Sequence, residues 1–143
     1  EKVPVGQRAV ILGGERMGLV CAEYLATLGK RVTVIERGKR LAEDVIPTFK
    51  WRHMAWVKEH GIDTLTSAHV KEIRADAVVV EADGVERVLP ADTVIIAGPR
   101  ESRQELVSAL EFSADEQYVI GDAVSPRSAH NAIRDGHLVG LRI

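Results

Sequence analysis

The sequence contains one cysteine, Cys21. An internal disulfide is therefore impossible and a cysteine metal cluster is excluded; a reducing compartment, the cytoplasm, is the expected setting. No apolar run approaches the ~20 residues that a membrane span needs, and residues 1–7 lack a secretory signal pattern. An excess of charge of one sign is lacking too. The 19 Lys and Arg stand against 21 Asp and Glu, a formal charge of −2, which gives no reason to expect a nucleic acid or a membrane surface as partner. The basic run Arg37, Lys39 and Arg40 is too short to be a footprint for either. His53, His60, His69, His130 and His137 show no paired metal spacing, so surface or structural roles are expected of each.

What is present suits an ordinary globular domain. The 143 residues are 45% hydrophobic and 28% charged, enough for one domain with a real core and too few for two full domains. The chain starts at Glu1 without a methionine and stops at Ile143, and it is expected to be a piece of a longer one.

The apolar run at residues 8–12 reads as a strand buried on both faces. Gly13 and Gly14 break it. Met17, Val20, Cys21, Leu25 and Leu28 then recur at helical spacing and Gly29 supplies a stop. The β-branched run at 31–36 reads as a second strand, so the first ~36 residues form a βαβ unit. A loop over 37–47 leads to a helix that Thr48 would cap, running to about Glu59, with Trp51, Met54 and Val57 sharing a buried face and Trp56 off it. Residues 63–67 suit a third parallel strand. Short strands near 70–73, 78–81 and 85–89, with the turn pair Asp83-Gly84, predict an antiparallel meander. A buried strand is expected at 93–97, ended by Gly98 and Pro99. A helix at 102–110, a polar loop at 111–116, a short strand at 118–120 and a glycine-weakened helix at 129–143 complete the chain.

The glycine turn carries the most chemistry. In strand–Gly-x-Gly-x-x-Gly–helix, the first glycine makes the turn, the second admits a pyrophosphate to the backbone and the third lets the helix lie close to the strand. The helix start then offers free amides and partial positive charge. Here the register gives Gly13, Glu15 and Gly18, with Gly14 inside the turn, so glutamate stands in the middle position. Glu36 closes the next strand at the spacing of a carboxylate that grips ribose hydroxyls. Glu15 adds bulk and negative charge. Two like charges ~5 Å apart at an effective dielectric of ~20 repel by roughly 3 kcal/mol, about two orders of magnitude in affinity, as an upper value. A tight turn that holds no ligand is thus the competing reading. Arg37 could meet a 2′-phosphate or simply be solvated, and Cys21 reads as a small hydrophobe of the helix.

Further blocks extend the pattern: Cys21-Ala22-Glu23-Tyr24-Leu25-Ala26, Ala91-Asp92-Thr93-Val94-Ile95-Ile96-Ala97, Ile120-Gly121-Asp122-Ala123, Pro126-Arg127 and Asp135-Gly136-His137. With the two opening strands they cover nearly the whole chain. The order resembles the C-terminal region of the NADH:flavin oxidoreductase family that includes trimethylamine dehydrogenase and 2,4-dienoyl-CoA reductase. That resemblance implies a three-layer α/β Rossmann-type FAD/NAD(P)-binding domain, with a parallel sheet, helices on one face and a small antiparallel β-meander on the other. Residues 5–98 would be an NAD(P)-type domain, 99–116 a linker and helix, and 117–143 the return segment of an FAD-type domain. NAD(P)H would meet Gly13, Gly14, Glu15, Gly18, Glu36, Arg37 and Gly98, bound weakly or no longer. Asp122 would meet a hydroxyl of FAD or ADP in the intact parent.

The resemblance also implies an FMN-binding barrel with a 4Fe-4S cluster elsewhere in the parent, and the rest of that enzyme as partner. Val20 stands where relatives often carry a glutamate near the nicotinamide, and with Glu15 it suits the amine dehydrogenase branch, whose nucleotide domains do not use NAD(P)H. No residue set here forms a complete catalytic constellation, so the chain alone is expected to be inactive. The return segment, made for absent strands, is expected to be mobile or to pack on a neighbouring molecule as in a swapped homodimer. A non-catalytic assembly module with a decayed dinucleotide site is the alternative.

Overall fold

The computed structural model describes residues 4–111 and 113–143. They divide into two compact units, Glu1–Gly98 and Pro99–Ile143. In the first, strands β1 (Arg8–Leu12), β2 (Arg31–Ile35), β3 (Asp63–Leu65) and β7 (Thr93–Ile96) form a parallel sheet in the order β3-β2-β1-β7. β1 is central and pairs Ala9 with Val32 on one side and with Thr93 on the other. Helices α1 (Arg16–Thr27) and α2 (Pro47–Glu59) belong to one face. β4 (Ala68–Ile73), β5 (Ala77–Ala82) and β6 (Val85–Pro90) make an antiparallel meander on the other.

Alternation along β1 explains the layering, because successive side chains of a strand point to opposite faces. Ala9 and Ile11 join Leu19, Ala22 and Leu25 of α1 and Val32 and Val34 of β2 in the helix-side core. Val10 joins Ile35, Val78 and Val80 in the core under the meander, with Leu12 packed against it. The meander turns at Asp83 (φ 53°) and Gly84 (φ 72°). Both φ values are positive, as a two-residue hairpin turn that matches strand twist requires.

The sheet and both of its covers agree with the sequence reading; several local expectations do not. α1 buries Gly18, Leu19, Ala22 and Leu25, while Met17, Val20 and Leu28 are exposed. Gly18 has to face the strand, and that sets the rotation of the helix. α2 begins at Pro47 after Ile46, not at a Thr48 cap; proline's fixed φ and missing N–H suit the first helical position. Met54 and Val57 reach the helix-side core. Trp51 stays 67% exposed, and Trp56 is half-buried, stacked on His60 with ring centroids 4.5 Å apart. β7 is an edge strand, so it is only half-buried and Ile96 is exposed.

In the second unit the expected helix shortens to α3 (Glu105–Ala109), and a final helix α4 (Ala129–Gly140) follows a 3-10 turn, Gly121–Ala123. The loop near 111–116 is present as read, with Phe112 outside the described residues. Residues 118–120 form no strand. Ile120 keeps extended backbone (φ −137°, ψ 164°), but a strand exists only as one rung of a ladder, and among the described residues of this unit there is no strand to pair with. Gly121 is the only buried residue among the described residues of this unit. No helix among the described residues is long and apolar enough to cross a membrane.

Candidate functional site

The glycine turn sits at the C-terminal end of β1, where open α/β sheets bind ligands. Gly13 continues the sheet by donating its N–H to the Ile35 carbonyl at 2.8 Å. Its φ of 121° lies in glycine's region, and a Cβ there would come within 2.3 Å of the Ala97 carbonyl oxygen. At Gly18 a Cβ would meet the Gly13 carbonyl oxygen at 1.8 Å. These two positions need glycine so that strand, turn and helix can touch. A Cβ on Gly14 would strike the Leu41 side chain at 2.3 Å.

Glu15 is the N-cap of α1, in extended backbone (φ −78°, ψ 179°) with no side-chain capping bond, and it is exposed. Its carbonyl accepts from the Leu19 N–H. The glutamate therefore occupies the middle position of the motif without distorting it, since this backbone is open to any residue.

Glu36 lies beside the turn and is engaged at both oxygens. Oε2 accepts the Gly14 N–H at 2.6 Å and Oε1 accepts the Gly38 N–H at 2.6 Å. A carboxylate accepting backbone amides makes strong, charge-assisted hydrogen bonds, so Glu36 ties the glycine turn to the loop after β2. Arg37 is exposed next to it, and Gly98 follows β7 on the far side of Gly13. The first unit thus brings Gly13, Gly14, Glu15, Gly18, Glu36 and Gly98 to one end of its sheet.

The loop at 37–46, read from the sequence as a plain connection, is built into the site. Leu41, Ala42 and Val45 are buried in the helix-side core. The Ala42 N–H donates to the Gly14 carbonyl at 2.8 Å, and Asp44 Oδ1 accepts the Arg16 N–H at 2.8 Å. Leu41, Ala42 and Val45 in a mostly charged stretch were the signal that this loop folds inward. Nothing in the sequence marked Asp44.

Asp122 belongs to the second unit. Its Oδ2 accepts from Arg100 Nη1 at 2.7 Å and its Oδ1 from the Arg127 N–H at 3.2 Å. Arg127 also pairs with Asp135, whose Oδ2 accepts the Gly121 N–H at 3.2 Å. Gly121 has φ 63° and lies against Ala132 of α4. Among the described residues no group of three or more His, Cys, Asp or Glu is placed to hold a metal ion. Cys21 is half-buried against the helix-side core.

At the opposite end of the sheet, Arg8 clamps Asp92. The Arg8 backbone N–H and Nε donate to the two carboxylate oxygens at 2.8 and 3.0 Å. These bonds hold the Asp92 carboxyl down at about 2 and raise the Arg8 guanidinium. An open cleft lined by Arg8, Arg31, Thr33 and Asp63 lies at that same end, away from the glycine turn.

Residues 1–136 match the pyridine nucleotide-disulphide oxidoreductase family. The chain is 30% identical to a metal reductase of Desulforamulus reducens, over 92% of its own length and 24% of that protein. It is 26% identical to a cinnamate reductase of Clostridium sporogenes, over 100% of its length and 22% of that protein. The solved complex of 2-naphthoyl-CoA reductase with 2-naphthoyl-CoA superposes with a TM-score of 0.89 at 31% identity, over 99% of this chain and 22% of that one. The chain thus spans about a quarter of the length of the curated relatives it matches. It belongs to the pyridine nucleotide-disulphide oxidoreductase family and has a Rossmann-type FAD/NAD(P)-binding fold.

Proposed function

We propose that this chain is the nucleotide-binding part of a flavin-dependent oxidoreductase of the NADH:flavin oxidoreductase and trimethylamine dehydrogenase type, and that the Gly13–Gly18 turn takes the pyrophosphate of NAD(P)H. The observation that carries the reading is the close contact of Gly18 with Gly13, with Glu36 alongside. A helix start brought that close to a strand end offers amides to an anion, and Glu36, just after β2, is the carboxylate that would accept ribose hydroxyls. The relatives support the same division of labour. Proteins named for metal, cinnamate and 2-naphthoyl-CoA reduction share this region, so it carries what those reactions have in common, the supply of electrons, and not the choice of substrate. Glu36, with Arg37 beside it, would grip the adenosine ribose, and Gly98 would border the nicotinamide side.

Residues 117–143, within the second unit, are assigned to the return segment of an FAD-type domain, with Asp122 as its hydroxyl acceptor. Among the described residues of the second unit Gly121 alone is buried, which supports that assignment, since a segment with one buried glycine has no core to stand on. Trp51, Tyr24, Ile96 and Ile133 are also well exposed. Apolar surface on that scale suits a chain that packs against the remainder of a parent enzyme.

A decayed, structural site is the second reading, favoured by Glu15 and by the engagement of Glu36 with backbone amides. Calorimetric titration of the chain and of Glu15→Gly with NADH and NADPH separates the two. Weak binding that tightens on substitution supports a working dinucleotide site. No heat from either protein supports decay.

A further inference from the structure

The loop after β2 closes on the glycine turn with carboxylates. Asp44 Oδ1 accepts the N–H of Arg16, the first residue of α1, at 2.8 Å, and Glu36 Oε2 accepts the N–H of Gly14. The Arg16 N–H belongs to the set that a phosphate uses at a helix start, and the Gly14 N–H lies in the turn just before it. Leu41 lies over Gly14, and Ala42 is held in the left-handed region (φ 56°) with its N–H on the Gly14 carbonyl. A non-glycine residue at positive φ persists where its surroundings hold it, and here Leu41, Ala42 and Val45 anchor the loop in the core. Asp44 itself is exposed, so its carboxylate can leave the amide while the anchor stays.

We propose that Asp44 is a tethered competitor for the pyrophosphate, so that the site is closed by its own loop and a phosphate binds only as Asp44 gives up the Arg16 amide. This rests on the reading of the Gly13–Gly18 turn as a dinucleotide site. It goes further by adding to Glu15 a second acidic residue that would weaken binding there. A phosphate entering would lose an amide to Asp44 and face a like charge at the same atom, and both penalties vanish with the side chain.

The test follows the Arg16 amide resonance of the full chain during titration with inorganic pyrophosphate, in the wild type, Asp44→Ala and Asp44→Asn. The alanine variant is expected to bind pyrophosphate at Arg16 roughly ten- to a hundredfold more tightly than the wild type. The asparagine variant, which keeps an acceptor and drops the charge, should fall between. Resonances remote from the turn report that each variant is folded. Equal affinity in all three proteins, or an Arg16 amide that ignores pyrophosphate even in Asp44→Ala, overturns the proposal. NADH titrated into the same proteins tests the underlying reading separately. If pyrophosphate tightens on substitution while NADH binds none of them, the competitor stands and the dinucleotide assignment falls. If NADH binds wild type and Asp44→Ala equally, the dinucleotide assignment stands and the competitor falls.

Discussion

Replacing Gly18 by alanine adds one methyl group at the tightest point of the first unit. The new Cβ would lie 1.8 Å from the Gly13 carbonyl oxygen and 3.0 Å from its carbon, where ordinary contact begins at 3.4 Å. Both obstacles are backbone, so no rotamer relieves them, and α1 has to withdraw by roughly 1.6 Å. The same face of the helix carries Leu19 and Ala22, both fully buried, so withdrawal loosens the helix-side core along its length. Overpacking of this kind costs about 1–3 kcal/mol where neighbours can give, and more where they cannot. The intrinsic gain of alanine over glycine in a helix offsets about 1 kcal/mol. Because both obstacles here are backbone, the overpacking cost exceeds about 3 kcal/mol, a net loss of more than about 2 kcal/mol remains, and for a unit of this size it lowers Tm by more than about 8 °C. Thermal unfolding followed by circular dichroism reads the effect directly. Gly29→Ala is the control: its φ is 73°, yet a Cβ there meets nothing within 4 Å, so only the backbone penalty of about 1–2 kcal/mol applies. A Gly18→Ala protein that melts within a degree or two of wild type would refute the claim that close helix–strand contact fixes this turn.

Two further outcomes follow from other parts of the molecule. Asp92 is held at about 2, below its ordinary 3.8, so its clamp on Arg8 contributes fully above about pH 4 and is lost as pH falls through 2; Asp92→Asn should flatten the denaturant-stability curve between those values, and an unchanged curve counts against the clamp. Ending the chain after Leu110 should leave the melting of the first unit within about 2 °C, because among the described residues both cores draw on residues up to Ala97; a collapse of the melt would place part of the second unit in that domain.

The fold of the first unit was legible because its strands are written twice, in composition and in punctuation. Residues 8–12 and 31–35 are apolar or β-branched runs bounded by glycine, and Asp83-Gly84 has few alternatives to a hairpin turn. The rotation of α1 was not legible, because Met17, Val20 and Leu28 offer as good an apolar stripe as the one the core selects, and only the contact at Gly18 decides between them. Residues 118–120 read as a strand from β-propensity, but no local pattern supplies a pairing partner. At the site, the glycine turn and Glu36 could be read from spacing. Asp44 could not, since an acidic residue in a charged loop has no signature, and the bond it makes depends on how Leu41, Ala42 and Val45 fold the loop back.

The pairing of β1 with β7 has a consequence for how the chain is made. Arg8–Leu12 leaves the ribosome first, yet its partner Thr93–Ile96 follows some eighty residues later. The Asp92 that clamps Arg8 and the Ala97 carbonyl that flanks Gly13 arrive with it. Until then the middle strand of the sheet has one open side, and the first turn of the motif has no wall. A nascent chain stalled short of Ala97 carries every glycine of the motif without the backbone that Gly13 packs against. Contacts so distant in sequence form slowly, so the interval between synthesis of Leu12 and of Ala97 is when this domain is most exposed to aggregation, and a chaperone has most to protect.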